Sequence, residues 1–147
     1  DVLLESGVAP CGLGCRDTLR LEAGMHLYGS EMNTTTTPYE ASLGWIVNSK
    51  KPYIGQEVLE QQKEKGVDKK LVAITLTKRN IARHDYPVVD GDEVIGKVTS
   101  GTWSPSLSIP IALAYVPTEL SKVGNKVYVK IRGKLEEATV VKKPFYS

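Results

Sequence analysis

The second half of the chain is a series of short apolar segments separated by turn residues, and this pattern restricts the fold more than any other feature. Apolar and polar residues alternate in these segments, as they do in half-buried strands. Two segments flank Asp90-Gly91-Asp92, an Asp-Gly turn typical of a β-hairpin, and Arg132-Gly133-Lys134 marks another turn. The predicted strands are residues 70–76, 87–89, 94–98, 109–116, 126–131 and 137–141. Without helical patterns between them, five or six such strands predict a small closed barrel or a sandwich.

The opening residues have a different, helical character. They resemble the last turns of a helix that ends at Gly7, and without an initiator methionine or targeting signal we expect the chain to begin inside a domain. Residues 12–14 predict a tight turn. Residues 16–23 alternate like a strand but consist of good helix formers, and Gly24 follows where a helix would stop. We predict a short helix that ends at Gly24.

Two further elements precede the strands. Residues 41–47 are small and apolar and include Trp45, which predicts a buried strand. Residues 55–65 are the best helix in the chain, because strong helix formers run without interruption to a stop at Gly66.

Composition excludes two classes of function. The 147 residues carry a formal net charge of +2, and the lysines are scattered. Nucleic-acid binders show a basic stripe interleaved with aromatic residues instead. The longest apolar runs fall far short of the ~20 residues that a membrane helix needs. We therefore expect neither nucleic acid nor membrane as a partner.

Cys11 and Cys15 are the two cysteines of the chain. Their spacing is not that of a Cys-x-x-Cys redox or zinc motif, and no second pair completes a tetrahedral metal site. We expect two buried free thiols in a reducing compartment, and no metal.

Arg16 and Asp17 are the first candidates for a binding site. They follow a glycine-containing turn, and a guanidinium there can hold a carboxylate or a planar heterocycle through two parallel hydrogen bonds. An ion pair between Arg16 and a nearby carboxylate such as Glu22 is an alternative, purely structural interpretation. Both interpretations stay open at this point.

Other polar residues give weaker signals. For His26 and His84 we expect neither a catalytic nor a metal-binding role, because no nucleophile motif accompanies them. His84 precedes Asp85, but adjacent side chains are not expected to face each other. Residues 99–105 predict a loop that docks a ligand edge or partner, or a barrel corner with Trp103 as its core plug.

Six segments of the chain, taken together and in order, are specific enough to compare with known families. They are PCGLGCRDTLRLEAGMHLYGSEMN, TPYEASLGWIV, IARHDYPV, IGKVTSGTWSPSL, IALAYVP and VVKKPFY. With these motifs, essentially the whole chain resembles the C-terminal portion of the glycine cleavage T-protein (aminomethyltransferase) family, whose members are more than twice this length.

This resemblance implies an α+β fold, in which the end of a folate-binding α+β domain is followed by a helix and a small C-terminal antiparallel β-barrel. We expect the C-terminal part of the folate-binding domain at residues 1–49. A linking segment with a helix then covers residues 50–68, and the β-barrel domain covers residues 69–147.

The resemblance also implies a function and its partners. Members of the family transfer the one-carbon unit of an aminomethyl group from the lipoyl arm of the H protein to tetrahydrofolate, and ammonia is released. The expected cofactor is therefore tetrahydrofolate, as a co-substrate, and the expected protein partner is the lipoylated H protein. We expect a monomer or weak homo-oligomer, in the cytoplasm of a bacterium or archaeon or in the mitochondrial matrix of a eukaryote.

The resemblance assigns two residues to the folate pocket. Arg16 is the arginine of the family's A-R-D-x-L-R-L-E-A-G motif, in which Cys15 here replaces alanine. Met25 lies where an aromatic residue of the family can approach the pterin, and a methionine can also pack on a ring. The family's aspartate that acts on the folate nitrogen belongs to the N-terminal half, which this chain lacks. We therefore expect no catalytic residue here and an inactive isolated chain.

Two alternatives to this function stay open. One is a non-catalytic docking module whose barrel recruits a partner such as the H protein, and the other is the barrel of a related folate-dependent protein. The matches RDTLRLEAGMHLYG and KPFY favour the T-protein family over the second alternative.

Overall fold

The computed structural model describes residues 2–48 and 50–146. Within these ranges, helices and turns occupy the N-terminal part. The helices are α1 (Val2–Glu5), α2 (Leu13–Glu22) and α3 (Gln56–Lys65), with a short 3₁₀ turn at Gly44–Ile46. No helix in this part of the chain is long and apolar enough to cross a membrane.

The remainder forms a closed antiparallel barrel, and the predicted α+β fold is thereby confirmed. In the described residues its strands are β1 (Lys69–Leu76), β2 (Pro87–Asp90), β3 (Glu93–Ser104), β4 (Ile109–Pro117), β5 (Lys126–Ile131) and β6 (Lys134–Val141). They follow one another around the barrel in the order β1-β4-β3-β2-β5-β6, and β6 pairs with β1 to close it. A 3₁₀ turn at Thr118–Leu120 connects β4 to β5.

The alternation in the sequence accounts for the barrel core. In β5, Val127, Val129 and Ile131 are buried, whereas the lysines and the tyrosine between them are exposed. Side chains that point inward from all six strands fill the interior, because successive strand residues face opposite sides.

The strands β1 and β4 are buried on both faces. In β1, Val72 and Ile74 belong to the barrel interior, while Leu71 and Ala73 belong to a second apolar cluster on the outer face. Leu21 of α2 completes this outer cluster and is fully buried. Leu21 therefore forms an apolar contact between α2 and the barrel wall.

The predicted helices at residues 16–23 and 55–65 are confirmed as α2 and α3. The prediction of a tight turn at residues 12–14 is wrong in part, because α2 already begins at Leu13 and includes Gly14. Gly24 has a φ of 68° and follows Ala23, the C-cap residue of α2. This left-handed conformation is the one that a glycine stop provides.

The buried strand predicted at residues 41–47 is wrong. Backbone hydrogen bonds from Ala41 to Thr37 and from Leu43 to Pro38 fold this segment into turns, and Ser42 has a φ of 57°. The Trp45 side chain is 83% exposed.

The loop predicted at residues 99–105 is also wrong over most of its length. The strand β3 continues to Ser104 because it pairs with β4 from Lys97 to that residue. Trp103 is partly exposed on β3, and the Arg79 guanidinium lies 5.3 Å from the centre of its ring. Trp103 is therefore not a core plug.

Candidate functional site

A cleft of about 500 Å³ lies between the helical part and the barrel. Its helical wall includes Leu13, Gly14, Arg16, Asp17 and Arg20, all from α2. Its barrel wall includes Arg83, His84, Thr99, Ser100 and Gly101. The cleft therefore brings the predicted site residue Arg16 together with the segment at residues 99–105 and with one of the two histidines.

Arg20 crosses from α2 to the barrel and fixes the width of the cleft. Its Nε donates to Asp17 Oδ1 over 2.7 Å, its Nη1 to Glu31 Oε2 over 2.7 Å, and its Nη2 to Ser100 Oγ over 2.8 Å. The Glu31 side chain is fully buried, and its Oε2 also accepts from the Leu27 backbone N–H. The guanidinium of Arg20 is thus saturated by hydrogen-bond partners, and it holds α2 in a fixed position beside β3.

Glu22 is the second polar anchor of α2. It is buried, and its Oε1 accepts a 2.5 Å hydrogen bond from the Ser104 hydroxyl, while its Oε2 accepts from the Ser106 hydroxyl over 2.8 Å. Burial alone raises the pKa of the Glu22 carboxyl. The hydrogen bonds from Ser104 and Ser106 outweigh this effect, so that the pKa lies below its usual value.

The C-terminal tail completes the attachment of α2. The backbone N–H groups of Phe145 and Tyr146 donate to the Glu22 carbonyl over 2.9 and 3.2 Å, and Phe145 packs against the outer apolar cluster. Glu22 is therefore held through both its side chain and its backbone.

His84 and Asp85 lie at the barrel side of the cleft. The His84 Nδ1–H donates to the Thr99 carbonyl over 2.6 Å, and Nε2 lies 3.3 Å from Asp85 Oδ2. The expectation that these neighbouring side chains do not face each other is wrong, because Asp85 has a φ of 63° and turns back towards His84. Lys97 pairs with the same carboxylate over 3.2 Å.

The cysteines and histidines give no sign of a metal centre in the described part of the chain, where no cluster of three or more His, Cys, Asp or Glu side chains could hold an ion. Cys11 and Cys15 are free, as predicted, but both are exposed, and the prediction that they are buried is wrong. His26 Nε2–H donates to the Ala41 carbonyl over 2.9 Å, and His26 is not among the residues that line the cleft.

Two family models match the chain. The glycine cleavage T-protein C-terminal barrel domain matches residues 69–147, and the GCVT N-terminal domain matches residues 3–51. This chain belongs to the glycine cleavage T-protein family. The resemblance stated from the sequence is therefore confirmed.

Curated relatives and a solved structure agree with this family. An aminomethyltransferase of Parasynechococcus marenigrum (strain WH8102) is 60% identical over 147 residues, which cover 99% of this chain and 40% of the relative. One of Prochlorococcus marinus (strain NATL1A) is 58% identical over 98% of this chain and 39% of the relative. The crystal structure of glycine cleavage system aminomethyltransferase T from Bartonella henselae has a TM-score of 0.90 and 34% identity, over 98% of this chain and 41% of that one. The chain thus spans about 40% of the length of these T-protein relatives.

The two folate-pocket residues expected from the T-protein resemblance lie in different surroundings. Arg16 is exposed on the rim of the cleft, and among the described residues its side chain forms no ion pair or hydrogen bond. The alternative pairing of Arg16 with Glu22 does not occur, since Glu22 is bound to serines. Met25 is 62% exposed in the turn after α2 and is not among the residues that line the cleft.

Sequence reasoning missed Arg20 and Glu22 as the anchors of the site. The spacing of Asp17 and Arg20, three residues apart on a helix, does signal a local pair. Nothing local signals Ser100 or Ser104, which lie 80 and 82 residues further along the chain than the residues they bind.

Proposed function

We propose that this chain is the C-terminal part of a tetrahydrofolate-dependent aminomethyltransferase of the glycine cleavage system, and that its cleft forms one wall of the folate site. In the proposed reaction, the one-carbon unit of an aminomethyl group on the lipoyl arm of the H protein passes to tetrahydrofolate, and ammonia is released. Membership of the T-protein family supports this assignment.

The observation that carries the proposal is the contrast between two arginines one helical turn apart. Arg20 is saturated by Asp17, Glu31 and Ser100, so it holds the helix in place. Arg16 faces the same cleft, and its guanidinium has no ion-pair or hydrogen-bond partner among the described residues. A planar guanidinium on a rigid support is suited to bind a carboxylate or a heterocyclic carbonyl through two parallel hydrogen bonds.

The role that follows for this chain is binding and orientation of the co-substrate. Arg16 would hold tetrahydrofolate, while Arg20 and Glu22 keep α2 at a fixed distance from the barrel. Proton transfer requires a positioned acid or base within hydrogen-bond reach of the reacting nitrogen. We assign that role to no residue of this chain.

The test of this proposal is tetrahydrofolate binding by the 147-residue chain and by its Arg16→Ala variant, measured by titration calorimetry. Loss of a charged hydrogen bond should weaken binding by about 1.5–3 kcal/mol, which is roughly 10- to 150-fold in Kd. Arg132→Ala is the matched control, since Arg132 is exposed in the β5–β6 turn and does not line the cleft. Unchanged binding in a folded Arg16→Ala variant would leave Arg16 without a ligand-binding role.

A second measurement distinguishes between an enzyme fragment and a non-catalytic docking module. The isolated chain should release no ammonia from aminomethyl-lipoyl H protein in the presence of tetrahydrofolate, and measurable release would contradict the binding-only role. Saturable binding of lipoylated H protein by a chain that binds no folate would favour the docking module.

A further inference from the structure

The two cysteines of the chain form a pair at the start of α2. Cys11 lies two residues before the helix, and Cys15 lies in its first turn. Both are exposed free thiols. The Cys11 Sγ–H donates a weak hydrogen bond to the Ala9 carbonyl over 3.8 Å. Both sulfur atoms are therefore accessible to an oxidant in solution.

The backbone between the two cysteines turns back on itself. The N-cap residue Gly12 is extended, with φ −69° and ψ 163°, and the Cys15 N–H donates to the Gly12 carbonyl over 3.0 Å. A residue that immediately precedes an N-cap packs against side chains about one helical turn further on, as in the hydrophobic staple. Cys11 occupies this preceding position, which places it beside the helical turn that carries Cys15.

The surroundings allow the adjustment that a disulfide requires. A disulfide holds its two Cα atoms about 4.4–6.8 Å apart. A Cβ added at Gly12 or Gly14 would meet no atom within 4 Å, so both positions border open space. Gly12 also gives the connection between the cysteines more conformational freedom than any other residue would. The two Cα atoms can therefore approach each other without displacing packed side chains.

We propose that Cys11 and Cys15 form a reversible intrachain disulfide, a redox modification that ties the segment before α2 to the first turn of this helix. The oxidant is an anionic low-molecular-weight disulfide such as oxidised glutathione. Arg16 follows Cys15, and the first turn of α2 contains no acidic residue, so the approach of an anion is favoured. The inference is independent of the proposed function, since it involves neither folate nor the H protein.

The reaction consists of two successive thiol–disulfide exchanges. The thiolate of one cysteine attacks a sulfur of oxidised glutathione, which breaks the S–S bond and releases one reduced glutathione. The other cysteine then attacks the protein sulfur of this mixed disulfide and releases the second glutathione. The protons lost by the two cysteines balance those taken up by the two glutathione thiolates. Two protein thiols are thus oxidised while one disulfide is reduced, and excess thiol reverses both steps.

The bond acts on the helical wall of the cleft. Leu13, Gly14 and Arg16 line the cleft and lie within the closed loop or directly after it. Closing a loop removes conformational freedom from the segment that it contains. Oxidation should therefore slow amide hydrogen exchange in the first turn of α2 and leave exchange in β5 unchanged.

The experiment equilibrates the 147-residue chain with oxidised and reduced glutathione, quenches it with acid, and identifies the products by intact mass and non-reducing electrophoresis. The expected product is a monomer that lacks two hydrogen atoms. A neighbouring thiol has an effective concentration of about 1 mM, so at about 0.1 mM reduced glutathione this product should exceed the mixed disulfides roughly tenfold.

A relocated cysteine provides the matched control. Cys15→Ala combined with Leu19→Cys keeps two thiols at exposed positions, because the Leu19 side chain is 60% exposed, but moves the second one about 6 Å along the helix. This variant should accumulate mixed disulfides with glutathione instead of the intrachain bond. Cys15→Ala alone should give one mixed disulfide on Cys11.

Three results would overturn the proposal. The first is accumulation of mixed disulfides or disulfide-linked dimers in the unaltered chain. The second is closure of the relocated pair as readily as that of Cys11 and Cys15. The third is an unchanged rate of amide exchange in the first turn of α2 after the intrachain disulfide has formed, which would contradict the tie to the helix.

Discussion

The barrel and the N-terminal helical segment at residues 2–48 are held together by different forces. The barrel interior is filled by apolar side chains from all six strands. In the described part of the N-terminal segment, Leu21 and Ala41 are the buried apolar residues, whereas Glu22 and Glu31 are buried carboxylates. Apolar burial thus accounts for the barrel, whereas directional polar contacts add to the apolar contact of Leu21 in attaching α2.

The difference explains where the cleft lies. Hydrophobic packing is non-directional and fills space, and buried apolar side chains occupy the barrel interior. The contacts of Arg20 and Glu22 instead hold α2 against the barrel at two points, and the space beside them stays open. The cleft thus lies at a boundary that is fixed by polar anchors.

Gly96→Ala should produce the largest effect, by preventing the barrel from closing. A Cβ at Gly96 would lie 2.0 Å from the backbone oxygen of Tyr115 on β4, and real Cβ atoms do not approach other atoms this closely. Relief requires β3 and β4 to separate, so we expect a loss of more than about 5 kcal/mol in the free energy of unfolding, comparable with the stability of a whole domain. Circular dichroism and urea unfolding of the variant would measure it.

Gly14→Ala is the matched substitution in the helical segment. A Cβ at Gly14 meets no atom within 4 Å, and the residue lies in α2. Alanine should therefore stabilise the chain by roughly 0.5–1 kcal/mol. If both substitutions had similar effects, the contrast between a packed barrel and an open helix face would be wrong.

Arg20→Ala should detach α2 while the barrel stays folded. The substitution leaves the fully buried Glu31 carboxylate without its ion-pair partner, which costs about 3–5 kcal/mol when one member of a buried pair is removed. Amide hydrogen exchange should then accelerate in α2 and in the turns that follow it, but not in β1 or β4.

Arg79→Ala provides the comparison for Arg20→Ala, because Arg79 lies over the exposed side of Trp103 and contacts no buried carboxylate among the described residues. Its effect should stay below about 1 kcal/mol. Equal acceleration of exchange in the barrel and in α2 after Arg20→Ala would show that the two regions unfold as one unit.

The difference between the apolar packing of the barrel and the polar attachment of α2 also explains which elements could be predicted from the sequence. The strands of the barrel were predictable because short apolar segments between turn residues are a local signal, which in β5 takes the form of strict alternation. The turns at residues 41–47 were mistaken for a strand because small and apolar residues occur in both. Trp45 favoured the strand prediction because tryptophan is common in strands, but its side chain is exposed.

The anchors of the cleft could not be predicted, since each joins residues about 80 positions apart. A charged residue in a sequence does not reveal whether its partner is solvent or a distant serine. The motif around Arg16 indicated the correct helix, yet only the fold shows that Arg20 is paired whereas Arg16 has no partner in the part of the chain that the structure describes. The contact between His84 and Asp85 depends on a left-handed backbone at Asp85, which its residue type permits but does not require.

Acidification should weaken the helical segment through His26, with a smaller effect than Gly96→Ala or Arg20→Ala. Burial lowers the pKa of His26 below its ordinary value of 6.5, and the nearby positive charge of Lys143 lowers it further. The hydrogen bond to Ala41 and the negative charge of Glu31 act in the opposite direction but do not cancel this shift. His26 binds a proton more readily in the unfolded chain than in the folded one. The stabilisation that neutral His26 contributes is therefore complete above pH 6.5 and is lost as the pH falls through the lower pKa of the folded state. Urea unfolding between pH 7.5 and 5 would measure this loss, and His26→Gln, whose amide can still donate to Ala41, should reduce it. Parallel stability curves for the two proteins would show that His26 does not link the helical segment to pH.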